Sequence, residues 1–348
     1  MRVGIIGATG LVGQRFVSLL ANHPWFDIAY LASSPERSGR KYGDAVHWVI
    51  EGEIPENVRD ITLAAMRIED IYRADLDLVF SALPAKIAAE IEPKIVKEGM
   101  TVISNSSPYR MEPDIPLINP EVNATHLKLL YLQEERGWRG RLVKVPNCST
   151  AILTLPLKAI ASKACIKKIY AVTLQAVSGA GKEGVPALTI IDNVVPHIPN
   201  EEEKIQKETK KILGEIGNGN INPAPFTVKA SINRVPVLDG HLIHIFLETC
   251  EEVETEELIQ ALYDFPNNEI KGMNLPTTPK RPIIVRYEPD RPQPRLDRLA
   301  GNGMSVTVGR IDAENKTIRL VALGHNTIRG AAGTGILIAE TMYRKGII

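Results

Sequence analysis

Cys148 sits in the stretch LVKVPNCSTAIL, where an apolar, strand-like run meets a helix opened by Ser149 and Thr150. A helix N-terminus carries partial positive charge, which favours a thiolate. A thiolate attacks acyl carbons well and also leaves them tolerably well. Considered by itself, a lone cysteine is more often a small buried hydrophobe. Its company argues for chemistry. Arg234 and His241 lie seven residues apart in NRVPVLDGH. The first could clasp a carboxylate bidentately, and the second could act as a general acid/base near neutrality. Glu208 and Lys211, in QKETKK, share a helical face. Arg110 in SSPYRM follows a strand, a natural place for an anion contact. Singly, each has a bland explanation: a solvated helix pair, a structural histidine, a surface arginine. His241 and His244 lack the further ligands that a metal would need, so no metal is expected.

These side chains need a scaffold, and the pattern supplies one. RVGIIG, DIAYLAS, LDLVFSALP and TVISNSS read as near-continuous apolar strands separated by helical segments. Such alternation implies a doubly wound parallel sheet of Rossmann type, covered on both faces. After VPNCST the segments become longer, alternating strands joined by turns, which predicts an α+β unit with a mixed sheet. NEEEKIQKETKKILGEIG reads as a charged, exposed helix, and GNGNINPAPF as an irregular loop. The last helix, about 328–345, is rich in Ala and Gly and is expected to return to the first unit. The expected division is 1–148, completed by 326–348, and 149–325.

GATGLVG places Gly7, Gly10 and Gly13 between the first strand and its helix. Glycines there permit a tight turn and close approach of a pyrophosphate to the helix N-terminus. After the second strand, where an acidic residue would bind a ribose hydroxyl, the chain reads LASSPERSGRK. Ser33, Ser34, Arg37 and Ser38 suit a 2′-phosphate instead, and Glu36 is expected to point outward. NADP is therefore expected over NAD.

The chain has 348 residues with 41 basic and 41 acidic side chains. That balance excludes a basic field for nucleic acid or membrane, and no run is apolar enough to span a bilayer. Cys148, Cys165 and Cys250 show no paired framework, which predicts reduced thiols and a cytoplasmic setting. The opening MRVGIIG begins directly on a strand, so no targeting peptide is expected.

With GATGLVG, VPNCST, LQAVSGAG, QKETKKIL and NRVPVLDGH in this order, the chain resembles the aspartate-semialdehyde dehydrogenases, most nearly their archaeal and fungal branch. The resemblance runs from VGIIGATGLVG to HNTIRGAAGTGILIAE. It implies that Cys148 is the acyl-forming nucleophile, with Asn147 beside it, Gln175 orienting the reacting group and His241 as acid/base. Arg234 would hold the substrate α-carboxylate, Glu208 its ammonium, and Arg110 and Lys211 its phosphate. Ser178 and Gly179 would border the nicotinamide, and Asn326 would close the cofactor site. The candidate cofactor set is then Gly7, Thr9, Gly10, Leu11, Val12, Gly13, Ser34, Arg37, Ser38, Ser81, Ser178, Gly179 and Asn326. The implied reaction is NADPH-dependent reductive dephosphorylation of aspartyl 4-phosphate through a cysteine thioester, on the way to lysine, methionine, threonine and isoleucine. The implied partners are that small molecule and further copies of the chain, as a homodimer or homotetramer. Rivals of the same fold are malonyl- or succinyl-coenzyme A reductase and N-acetyl-glutamyl-phosphate reductase. A rival of another class is a non-catalytic NADP-binding sensor.

Overall fold

The computed structural model describes residues 1–217, 219–265 and 269–348. The first apolar runs form strands β1 (Arg2–Ile6), β2 (Asp27–Ser33), β3 (Ala64–Ala65), β4 (Leu78–Ser81), β5 (Thr101–Ser104) and β6 (Leu142–Lys144). They pair in parallel in the order β3-β2-β1-β4-β5-β6. The order reverses between β1 and β4, so a crevice opens beyond their C-terminal ends, where ligands of such sheets bind. On one face α1 (Leu11–Leu20) packs Phe16, Val17 and Leu20 over Ile5, Phe80 and Val143. On the other, α2 (Ala85–Lys97) packs Ala88, Ile95 and Val96 over Ile6, Val79 and Val102.

Helix α3 (Cys148–Ala161), with Pro156 inside it, leads into the second unit. There β7 (Ile166–Gln175), a small hairpin β8 (Glu215–Ile216) and β9 (Ile221–Asn222), β10 (Thr227–Arg234), β11 (His241–Thr249), β12 (Ile283–Val285), β13 (Val306–Glu314) and β14 (Thr317–Gly324) follow in turn. The main sheet is mixed, in the order β10-β7-β11-β14-β13-β12. Its inner face buries Ile169, Ile243, Ile245 and Leu320 against α3, α4 (Glu201–Ile212) and α5 (Thr255–Tyr263). Its outer face leaves Tyr170 and Phe246 exposed. A π-helical turn, Ile328–Ala332, then opens α6 (Gly333–Arg344). As expected, α6 rejoins the first unit: Ile336, Ile338 and Ala339 pack beside Phe16 and Val17.

Three expectations are corrected. Helix α4 is not an exposed helix, because Glu201, Ile205, Glu208, Thr209, Lys211 and Ile212 are all buried. Its two-sided charge pattern hid an inward face whose charges are paired. The 217–226 stretch is partly regular, since the hairpin β8–β9 runs through it; residue 218 lies outside the described residues. Cys165 and Cys250 are joined in a disulfide, across 85 residues, and Cys148 is the free cysteine. Their sequence separation concealed a pairing that the neighbouring ends of β7 and β11 create.

Candidate active site

The glycine loop has the shape a dinucleotide requires. Gly7 has φ +81°, and a Cβ on it would stand 2.7 Å from the Ala82 carbonyl oxygen. Only glycine closes this turn beside β4. Gly10 precedes α1, whose first amides receive no side-chain cap, so they remain available to an anion. Leu11 and Gly13 are buried in the helix base, and Val12 reaches the crevice. From the turn after β2, Arg37 donates to the Thr9 hydroxyl at 3.4 Å. Ser34 and Ser38 flank that same turn, and Glu36 is exposed. This donor set, a cation with hydroxyls and free amides, fits a phosphorylated dinucleotide.

Ser81 departs from the expected set. It is fully buried and donates to Glu92 Oε1 at 2.7 Å. Ser104 donates to the same oxygen at 2.6 Å, and Lys144 Nζ donates to Glu92 Oε2 at 2.6 Å. This network ties the ends of β4, β5 and β6 to α2, so the Ser81 hydroxyl is already engaged and not free for a ligand.

Cys148 is the first residue of α3, capped by Asn147, whose Oδ1 accepts from the amides of Ser149 and Thr150. Its Sγ lies 3.2 Å from His241 Nε2. The Ala176 amide donates to His241 Nδ1 at 3.1 Å, which puts the ring proton on Nε2, facing the sulfur. In that tautomer Nε2 is a donor to the sulfur. Passing the thiol proton to the ring requires Nδ1 to leave the Ala176 amide. Burial holds His241 well below its ordinary pKa, helped by the Arg234 charge. The expectation of a depressed thiol pKa is corrected for this state. Burial pushes Cys148 up to about 12, the Glu201 carboxylate adds to the rise, and Arg234, the Ser149 amide and Arg110 oppose it.

Arg234 and Gln175 are paired neighbours at the ends of β10 and β7. Arg234 donates to the Ala176 carbonyl at 2.6 Å and is buried. Among the described residues it forms no ion pair, which leaves its charge for a ligand. Gln175 is buried and donates to the Thr173 hydroxyl at 3.3 Å. Gly179 lies against both groups, since a Cβ there would stand 2.6 Å from Arg234 and 3.2 Å from His241. Asn326 donates to the Ser178 hydroxyl and accepts from the Gly240 amide, both at 2.8 Å, tying the Ser178 loop to the residue before His241.

A cavity of about 310 Å³ opens at Cys148, bordered by Arg110, Asn147, Ser178, Gly179, Asn326, Glu201 and Lys204. Of the expected substrate residues Arg110 borders it; Arg234 lies behind Gly179, and Glu208 and Lys211 are engaged elsewhere. Glu208 accepts from Arg110 at 2.9 Å and from the Asn147 amide at 2.6 Å. Lys211 donates to the carbonyls of Arg110, Glu112 and Ile115 at 2.7, 2.6 and 2.9 Å. All three ammonium protons are engaged, so in this state it builds the wall that carries Arg110. Glu201 and Lys204 were missed by sequence reasoning. A signal existed: two Glu-x-x-Lys pairs seven residues apart fall on nearly one helical face.

Another missed contact is Gly330, where a Cβ would stand 2.7 Å from the Cys148 Cβ. The π-helical turn therefore seats directly on Cys148, anchored by the fully buried Arg329–Glu121 pair. Glu51, Asp239 and His325 also converge within 4.8 Å, but the Arg15 guanidinium already lies 2.6 Å from Glu51 and 3.9 Å from Asp239. A larger cavity of about 740 Å³, beside His23 and Thr277, lies apart from these groups.

The geometry has recognisable relatives. Residues 2–130 match the family described as semialdehyde dehydrogenase, NAD binding domain, and residues 157–329 match semialdehyde dehydrogenase, dimerisation domain. The chain is 48% identical to an aspartate-semialdehyde dehydrogenase of Archaeoglobus fulgidus, covering 99% of each. It is 36% identical to a malonyl CoA reductase (NADP) of Metallosphaera sedula, over 100% of this chain and 98% of the relative. The crystal structure of aspartate semialdehyde dehydrogenase with NADP from Candida albicans superposes with a TM-score of 0.90 at 40% identity, covering 100% of this chain and 99% of that one. Two matched domains, full-length identity and a shared fold agree: the chain belongs to the aspartate-semialdehyde dehydrogenase family.

Proposed function

We propose that this chain catalyses the NADPH-dependent reductive dephosphorylation of L-aspartyl 4-phosphate to the semialdehyde, through a thioester on Cys148. The observation that carries this reading is the Cys148–His241 contact at the mouth of a small cavity with Arg110, Lys204 and Glu201 on its border and Arg234 unpaired nearby. An acyl phosphate bearing a carboxylate and an ammonium matches that arrangement of charges. As a thiolate, Cys148 attacks the acyl carbon, the phosphate leaves toward the cations, and a thioester remains. NADPH, when bound, supplies the hydride that reduces the acyl group; the glycine loop, Thr9, Arg37, Ser34 and Ser38 would hold it. His241 works from Nε2, donating to the oxygen that gains charge as the acyl carbon becomes tetrahedral. Gln175 and Arg234 orient the substrate, and Asn147 fixes the α3 terminus under the nucleophile.

The proposed division, 1–148 with 326–348 and 149–325, puts Cys148 at the seam between the two sheets. The outer face of the second sheet, with Tyr170 and Phe246, supports assembly as a homodimer or homotetramer. Among the described residues no helix is long and apolar enough to cross a membrane. A cytoplasmic placement rests on the biosynthetic relatives; the Cys165–Cys250 pair removes the argument from reduced thiols. Reduction of a coenzyme A thioester is the second reading, favoured by the Metallosphaera relative. Glu201 speaks for the amino acid, because a malonyl group has no ammonium. The deciding assay is NADP reduction by aspartate semialdehyde with phosphate, run against malonate semialdehyde with coenzyme A. Activity only in the second arm would overturn the proposal.

A further inference from the structure

The cleft of about 740 Å³ beside His23 is larger than the cavity at Cys148 and is walled by both units. One wall is the end of α1 and the turn after it. The other is the segment 276–281, Ile284 on β12 and the turn 301–305 that leads into β13. These walls are fixed from behind. The fully buried Glu340 carboxylate of α6 lies 2.8 Å from His23 Nε2 and accepts from the Thr277 amide at 2.9 Å, so one group holds a residue of each wall. Gly301 has φ +57°, and a Cβ on it would stand 2.1 Å from Ser305 Oγ, so the 301–305 turn closes only with glycine there.

The lining is chemically one-sided. Leu19, Pro24, Pro276, Pro279, Ile284 and Met304 make it apolar, and Lys280 and Arg281 border it while no Asp or Glu does. Both cations are exposed, and neither forms an ion pair among the described residues. The Arg281 guanidinium stands 5.5 Å from the Tyr263 ring centroid, a stacking contact that leaves its N–H groups open. We infer that this cleft is a second small-molecule site, built for an organic anion with an apolar body. Its volume lies in the range of ligand pockets, about 300–1,000 Å³, and apolar walls with a few convergent donors are what such pockets offer. The two cations suit a carboxylate, sulfonate or phosphate group on that guest. No residue assigned above to the thioester chemistry or to the dinucleotide borders the cleft, so its occupant is neither substrate nor cofactor.

The test is a fluorescence titration of the full chain with anilinonaphthalenesulfonate, an organic anion with an apolar body, in saturating NADP. NADP fills the cofactor crevice, so binding that persists is binding elsewhere. A single saturable class of sites is expected. The double variant Lys280→Glu with Arg281→Glu is expected to raise the probe's Kd by roughly tenfold or more, because two attractive contacts become repulsive. Ile284→Trp keeps both cations but fills the cleft, and is expected to weaken the probe by roughly the same factor. Both variants should keep the wild-type denaturant midpoint and NADP affinity. If one of them does not fold, the other decides. Displacement of the probe by NADP, no saturable binding, or an unchanged Kd in either folded variant would overturn the inference.

Discussion

Two groups of charges surround Cys148, and they differ in what their hydrogen bonds leave over. Below the crevice, Glu92, Lys144, Ser81 and Ser104 satisfy one another in full burial. Facing the cavity, Glu201 and Lys204 are loosely paired, and Arg234, behind Gly179, forms no ion pair among the described residues. The first group is architecture, because removing either charge strands the other in a dry interior. The second is receptive, because its charges wait for a ligand. Residue type does not separate the groups: each contains Lys and Glu. What separates them is the count of partners, which only the folded chain fixes.

The largest expected effect breaks the receptive side at its centre. Cys148→Ala should lower turnover at least ~10⁴-fold, since no second thiol borders the cavity among the described residues, while NADPH affinity stays within about threefold. Steady-state rates and cofactor titration check both. Next, Lys144→Met tests the architectural side. It should destabilise the fold by about 3–5 kcal/mol, the range for a buried pair that loses one partner, read from the denaturant midpoint. If Lys144→Met leaves stability unchanged and removes only activity, the division between the groups is wrong. Arg37→Ala probes a third charge, at the far end of the cofactor. Losing a phosphate contact should weaken NADPH by about 1.5–3 kcal/mol and NADH much less. Equal losses would refute the 2′-phosphate contact.

The smallest effect concerns pH. Burial lowers His126 and His325 to about 4, below the ordinary histidine value of 6.5. Between those values the unfolded chain binds more protons than the folded one, so stability rises as pH goes from about 4 to 6.5 and then levels. Urea midpoints across that range should trace this rise. In His126→Gln the slope should diminish.

The sequence disclosed whatever the backbone alone determines. The parallel, doubly wound sheet follows from apolar runs alternating with helices, and the Gly7 turn follows from a spacing that only a tight β–α connection explains. Cys148 and His241 were legible as types in suggestive company, and the fold brings them to 3.2 Å. The assignments within α4 were not legible. Which Glu-x-x-Lys pair of α4 meets the cavity depends on the helix's rotation against α3 and on the turn at 110–115. Ser81 shows the same limit: its place at the C-terminal end of β4 points to the crevice, but its hydroxyl is engaged by Glu92 on α2. The Cys165–Cys250 bond and the contact of Gly330 with Cys148 join segments far apart in sequence, and no local pattern announces them.

The central claim is that Cys148 carries the acyl group. Its most direct test is a rapid acid quench of the enzyme with NADP and aspartate semialdehyde in the absence of phosphate, followed by peptide mass mapping. The account predicts an aspartyl adduct on the peptide holding Cys148, formed with one equivalent of NADPH and discharged when phosphate is added. Turnover without such an adduct, or an adduct on another residue, would contradict it.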